Sequence, residues 1–183
     1  MNDEAGKTSR PISSENMKSS RFPILLFVVL YLGFLLLVVF SRLLLPEHVA
    51  SHFNFSGNPD GWMNRSSYFT FFAIFGFVFP LFVVAICWLA RVFPGGINIP
   101  HRDYWLAPER NRETFDNLFR QSWWFACLAI CFVIGLYFLM IEANHASPPH
   151  FSTSGIITLA CGFIAGVVVW IVTLIRQFSL RSQ

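Results

Sequence analysis

LPEHVASHFNFSGNPDGW, Leu45–Trp62, separates two long apolar runs, and its polarity is what divides them. It carries two histidines, a carboxylate toward each end, an asparagine at position 54 and the turn-forming run Gly57–Gly61. The run before it covers about residues 22–45 and the run after it about 68–93. Each is long enough to cross ~30 Å of hydrocarbon, which takes ~20 helical residues. A polar stretch between two such runs is a membrane loop. In membrane proteins, chemistry collects where the polarity is not dictated by the solvent.

Working outward, two further apolar runs cover about residues 122–141 and 155–178. With 55% hydrophobic residues, 13% charged residues and 22 Phe, the composition excludes a soluble domain. The expectation is an all-α membrane protein with four transmembrane helices in one domain, residues 22–178. No span carries a charge near its middle; Arg42 and Glu142 lie at span ends, where a long side chain reaches headgroup water. The first run exceeds the ~7–15 residues of a signal-peptide core, and no A-x-A site follows, so it reads as an uncleaved helix. Residues 1–21 are polar and Ser-rich and are expected to be a disordered cytoplasmic tail, with 179–183 a second, short one.

Orientation follows from the basic residues. Lys7, Arg10, Lys18 and Arg21 precede the first span. Arg91, Arg102, Arg110, Arg112 and Arg120 lie between spans two and three, and Arg176 and Arg181 follow span four. Only Arg42 and Arg65 fall on the other side. Both termini are therefore expected in the cytoplasm and Leu45–Trp62 outside. The same partition places His48, His52, His145 and His150 on the outer face with Glu47, Asp60 and Glu142, and His101 inside.

The outer loop admits two backbone readings. A short helix from Pro46 would set His48 and His52 at i,i+4, able to grip one metal ion with Glu47 or Asp60. A strand over Ser51–Ser56 would place His52, Asn54 and Ser56 on one face and Phe53 and Phe55 on the other, with His48 ~13 Å from His52. The S-H-F-N-F-S alternation and the GNPDG turn favour the strand. His52, Asn54, Gly57, Asp60 and Trp62 are then the candidate binding residues. The competing reading is a structural cap that ties the turn to the membrane surface. A metal site combining His48, His52, His145 and His150 matches no zinc spacing and rests on outer-face clustering alone.

In the inner loop, Pro94 and two glycines break the second helix. A new helix is expected from Pro108, with Glu109 at the positive end of its dipole. Over Pro108–Gln121, Phe115, Leu118 and Phe119 form an apolar stripe, and Asp116 and Arg120 stand at i,i+4. This reads as an inner amphipathic surface helix feeding span three, with Tyr104 and Trp105 anchoring the loop. Cys127, Cys131 and Gly135 make a small-residue stripe in span three, and Gly162 and Gly166 form GxxxG in span four, a route to homo-oligomers. Pro80 is expected to kink span two.

HFNFSGNPDGW after Leu-Pro, together with NIPHRDYWLAPERNRET in the inner loop, resembles the membrane-protein family called domain of unknown function 1648. That domain also occurs at the N-terminus of SdpI-type toxin-immunity and signalling proteins of bacteria. The resemblance implies a bacterial inner-membrane protein that binds an extracellular peptide or a membrane partner. It draws attention to Asn98, Pro100, Asp103, Tyr104, Trp105, Glu109 and Arg110 as an inner-loop motif and carries no catalytic residues. An additional C-terminal membrane region of the larger SdpI-type proteins has no counterpart in these residues.

Three functions remain in view. One is a non-enzymatic binding, sensing or immunity-like accessory protein acting through its outer loop. It would need no cofactor and no nucleic acid; its partners would be the lipid bilayer and a peptide or another membrane protein. The second is a metal-dependent membrane hydrolase using the outer histidines, though no H-E-x-x-H is present. The third is a transporter component, for which intramembrane ionisable groups are lacking.

Overall fold

The computed structural model describes residues 14–96 and 98–179. The chain runs α1 (Ser14–Ser41), β1 (His48–Phe53), β2 (Pro59–Asn64), α2 (Arg65–Val92), a 3-10 turn (Pro94–Gly96), α3 (Arg102–Trp105), α4 (Asn111–His145) and α5 (Thr153–Phe178). Four of these helices, α1, α2, α4 and α5, are long and apolar enough to cross a membrane. The protein is a multi-pass membrane protein, mostly helical, with one small two-stranded sheet among the described residues. Helices are the available solution because hydrocarbon offers the backbone no hydrogen-bond partners.

The helix bounds depart from the expected spans. The α1 helix ends at Ser41 rather than at 45, because the chain tightens into a turn over residues 42–44. Its end is capped from a distance: the Arg65 guanidinium donates to the carbonyls of Arg42 (3.3 Å) and Leu45 (3.1 Å). A cation at a helix C-terminus is the favourable arrangement. The expected tail, 1–21, lies largely outside the described residues, and α1 begins within it.

The inner surface helix is corrected. No separate helix starts at Pro108, which stands in the turn before α4. Instead α4 runs unbroken for 35 residues, about 52 Å at ~1.5 Å per residue, well beyond the ~30 Å of hydrocarbon. Its first turns carry the expected stripe, with Phe115 buried and Leu118 and Phe119 half-buried. The expected Asp116–Arg120 pair is also replaced. Asp116 reaches across to Arg91 of α2 (3.6 Å), and Arg120 donates to Asn117 Oδ1 (2.8 Å).

The α4 helix is the hub, packed against α1, α2 and α5, while α5 leans chiefly on α4. The α4–α5 contact is antiparallel and built from leucines seated on glycines. Leu128 faces Gly166, Leu159 faces Gly135 and Leu139 faces Gly155, so closely that a Cβ on any of these glycines would come within 2.6–2.7 Å of the leucine. Small residues permit this approach where lipid supplies no hydrophobic drive between helices. Gly166 is thus spent inside the chain, whereas a Cβ at Gly162 would meet nothing among the described residues. On the opposite side of α4, Phe34, Tyr68, Phe72 and Tyr137 form an aromatic core. Gly76 admits Phe34 of α1, whose ring would overlap a Cβ there.

Candidate binding surface

The strands β1 and β2 pair antiparallel, with His48 opposite Asn64, Ala50 opposite Trp62 and His52 opposite Gly61. The strand therefore starts earlier than the alternation suggested, and Asn54 and Ser56 belong to the turn rather than to a strand face. Asn54 builds that turn. Its Oδ1 accepts from Ser56 N (2.9 Å) and Asn58 N (3.1 Å), and its own amide donates to Asn58 O (2.9 Å). This is the side-chain mimicry of a backbone turn for which Asn is selected. Gly57 closes it at φ +79°, in the left-handed region, and is buried.

The hairpin is fastened to the bundle at two places. Phe151 N donates to Gly57 O (2.9 Å), docking the connection between α4 and α5 onto the turn. A Cβ at Gly57 would lie 2.6 Å from Phe151 O and 2.8 Å from His150 Cε1, so this approach requires glycine. The second fastening is Asn144, near the end of α4. Its Oδ1 accepts from Ala50 N (2.8 Å), and its Nδ2 donates to Ala50 O (3.0 Å) and Met140 O (2.9 Å). Ala50 is fully buried. The carboxamide thus supplies the donor and acceptor that a third strand would have given β1, and it satisfies backbone groups that water cannot reach. Beneath it, Tyr137 donates to Ser41 Oγ (2.6 Å), whose hydroxyl donates to Val38 O (3.0 Å), linking α4 to the end of α1.

Sequence reasoning missed Asn144, Tyr137 and Ser41. The signal for Asn144 was present: an amide at the end of an apolar span, beside Glu142 and His145, whose polarity the solvent does not explain.

With its backbone pinned, the hairpin presents side chains outward. His52 Nδ1 pairs with Asp60 Oδ1 across the strands, and both side chains are largely exposed. Such exposed pairs add little to stability. Trp62 and Met63 are exposed, and Phe55 at the tip is fully so. Of the five outer candidates, His52, Asp60 and Trp62 therefore stand on the surface, while Asn54 and Gly57 serve the turn. The metal grouping is not assembled: His48 and His52 lie on a strand, not on one helical face, and the described residues contain no cluster of three or more His, Cys, Asp or Glu side chains.

Below the hairpin, between α2 and α4, lies a cavity of about 440 Å³. Tyr68, Phe71, Phe72 and Phe75 of α2 and Leu136 and Met140 of α4 form its walls. Ser51, His52, Phe53, Met63 and Phe151 form its roof and rim.

At the opposite end of the bundle, the inner-loop candidates divide. Trp105 Nε1 donates to Phe178 O (2.9 Å) with the two rings edge to face, and Thr114 Oγ1 donates to Trp105 O (2.8 Å). Arg110 lies over the Tyr104 ring at 4.0 Å, a cation–π contact. Trp105 thus bolts the loop to the end of α5, Thr114 ties it to α4, and Arg110–Tyr104 is a contact within the loop. Asn98, Pro100, Asp103 and Glu109 stand exposed.

Residues 26–78 match the domain of unknown function 1648, DUF1648. The DUF1648 match thus takes in most of α1, the whole hairpin and the first half of α2. It ends before the inner loop, so NIPHRDYWLAPERNRET lies outside it, as do α4 and its clamp residue Asn144. No curated protein and no solved structure matches the chain.

Proposed function

We propose that this is a non-enzymatic binding protein of the bacterial cytoplasmic membrane, with both termini in the cytoplasm and the hairpin outside. The outward face of the hairpin would engage a peptide or another membrane protein. The observation that carries this reading is the contrast within the hairpin. Its backbone is anchored by Asn144, Asn54 and Gly57, while His52, Asp60, Trp62 and Phe55 are left exposed on it. A pinned backbone with exposed aromatic and charged side chains is a preorganised surface, which lowers the ordering cost of association. Exposed aromatic side chains are also the usual anchors of such contacts. The basic distribution supports the orientation, and the resemblance to SdpI-type proteins supports a peptide or membrane-protein partner.

A photo-crosslinking residue at position 62, in cells, tests the proposal. The expected result is a discrete protein or peptide adduct that weakens when His52 or Asp60 is replaced by alanine. Adducts to lipid alone would make Trp62 a membrane-interface anchor and overturn the reading. One zinc per purified chain, lost on His52→Ala, would favour the metal-dependent hydrolase instead.

A further inference from the structure

We propose that the cavity beneath the hairpin holds one acyl chain of a lipid from the hairpin-side leaflet. The cavity concerns the inward side of the hairpin and does not depend on the binding role of its outward face.

Its volume, about 440 Å³, lies in the range of small-ligand sites, ~300–1,000 Å³. The space is half open rather than enclosed, and a chain held in it would gain dispersion contacts along its apolar walls. The shape is given by α2. Tyr68, Phe71, Phe72 and Phe75 recur at helical spacing and carry the wall about 10 Å along the axis at ~1.5 Å per residue. Leu136 and Met140 of α4 line the same space, and the polar side chains Ser51 and His52 sit at the hairpin end. An apolar slot with polar groups at one end fits an amphiphile whose chain points into the membrane.

Entry is from the side. Phe71 and Met63 belong to the lining yet are 49% and 38% exposed. Phe71 lies in α2, one of the helices long and apolar enough to cross a membrane, so its side of the opening would admit a chain from the hydrocarbon without crossing water.

The same wall disfavours a peptide as occupant. Phe, Leu and Met side chains offer no partners to backbone amides, and each amide buried unpaired is costly. The Tyr68 hydroxyl, buried and without a partner among the described residues, is a single donor and cannot satisfy a chain of peptide groups.

Native mass spectrometry of the full chain, extracted from its membrane in mild detergent, tests this. Wild type should retain one lipid per chain after others are stripped. Leu136→Trp and the milder Met140→Phe fill the slot and should lower that occupancy by about tenfold or more, as overpacking of a site of this kind would. Phe138→Trp, on the exposed face of the same helix, should retain the lipid. Thermal melts of each variant identify any that fail to fold, and Met140→Phe stands in if Leu136→Trp does. Equal retention by the folded filling variants, no retained lipid in wild type, or a retained peptide would each overturn the proposal. None of these results would alter the crosslinking expected at position 62.

Discussion

Replacing Asn144 by alanine should loosen the hairpin while leaving the four spans in place. The substitution removes three hydrogen bonds, two of them to Ala50, a residue with no exposed surface. The Ala50 amide and carbonyl would be left in a site water reaches poorly, and an orphaned buried polar group costs ~1–3 kcal/mol. Water admitted into the vacated space would recover part of this for one group. The net cost to the docked hairpin is then about 2–4 kcal/mol, or roughly thirty- to several-hundredfold in the opening equilibrium. Asn144→Asp should be at least as damaging, because both carbonyls that Nδ2 now serves would face an oxygen. The assay is amide hydrogen exchange in detergent, comparing peptides from residues 48–64 with peptides from α2 and α4. Faster exchange confined to the hairpin is the expected result. Exchange in the hairpin within about threefold of wild type, less than ~1 kcal/mol, would refute the clamp.

Four further outcomes are expected. Gly57→Ala forces a Cβ onto Phe151 O at an unfavourable φ, and should cost ~1–3 kcal/mol in thermal unfolding while raising proteolysis of the connection between α4 and α5. Tyr137→Phe removes the bond to Ser41 and should lower stability by ~1 kcal/mol, whereas Tyr68→Phe removes a hydroxyl with no partner among the described residues and should be neutral or stabilising. Trp105→Phe keeps a ring against Phe178 but loses the indole bond, so limited proteolysis should cut the loop over residues 93–110 faster at a melting cost of ~1 kcal/mol. Gly166→Leu should separate α5 from α4 and destabilise the protein, while Gly162→Leu, with open space around it, should not change the stability of the single chain.

The membrane architecture was legible because hydrocarbon imposes it: long apolar runs can only be helices, and their count and order follow from the sequence. The turn was legible only in part. The GNPDG run marked it and Gly57 lies in it, but Asn54, which builds it, was read as a strand-face residue, and the need for glycine at 57 comes from the distant Phe151. The second strand was not legible. Pro59, Asp60 and Gly61 are turn formers, and they lie in β2 only because β1 is fixed beside them. The position of β1 depends in turn on Asn144, 94 residues away, and no local pattern encodes that contact. The length of α4 was misjudged because a polar first half was taken for a surface helix. Its polar groups are instead used by neighbours: the Asp116 side chain by Arg91 of α2, and the Gln121 backbone carbonyl by Trp170 of α5 (2.9 Å). For the candidate site, residue type alone gave His52, Asp60 and Trp62 the same standing as Asn54 and Gly57. Only the fold separates the exposed residues from those that shape the turn.

The proposed binding role requires the hairpin to be displayed on the outer surface of the cell membrane. Gly57 is a poor reporter of this, being buried and at positive φ, but Phe55 at the tip is fully exposed. The direct measurement is labelling of Phe55→Cys with a membrane-impermeant thiol reagent on intact cells, in a background with the four native cysteines replaced, beside Glu109→Cys in the inner loop. Labelling of position 55 in intact cells, with position 109 reacting only after permeabilisation, is the predicted result. The reverse pattern would place the hairpin in the cytoplasm and contradict the account.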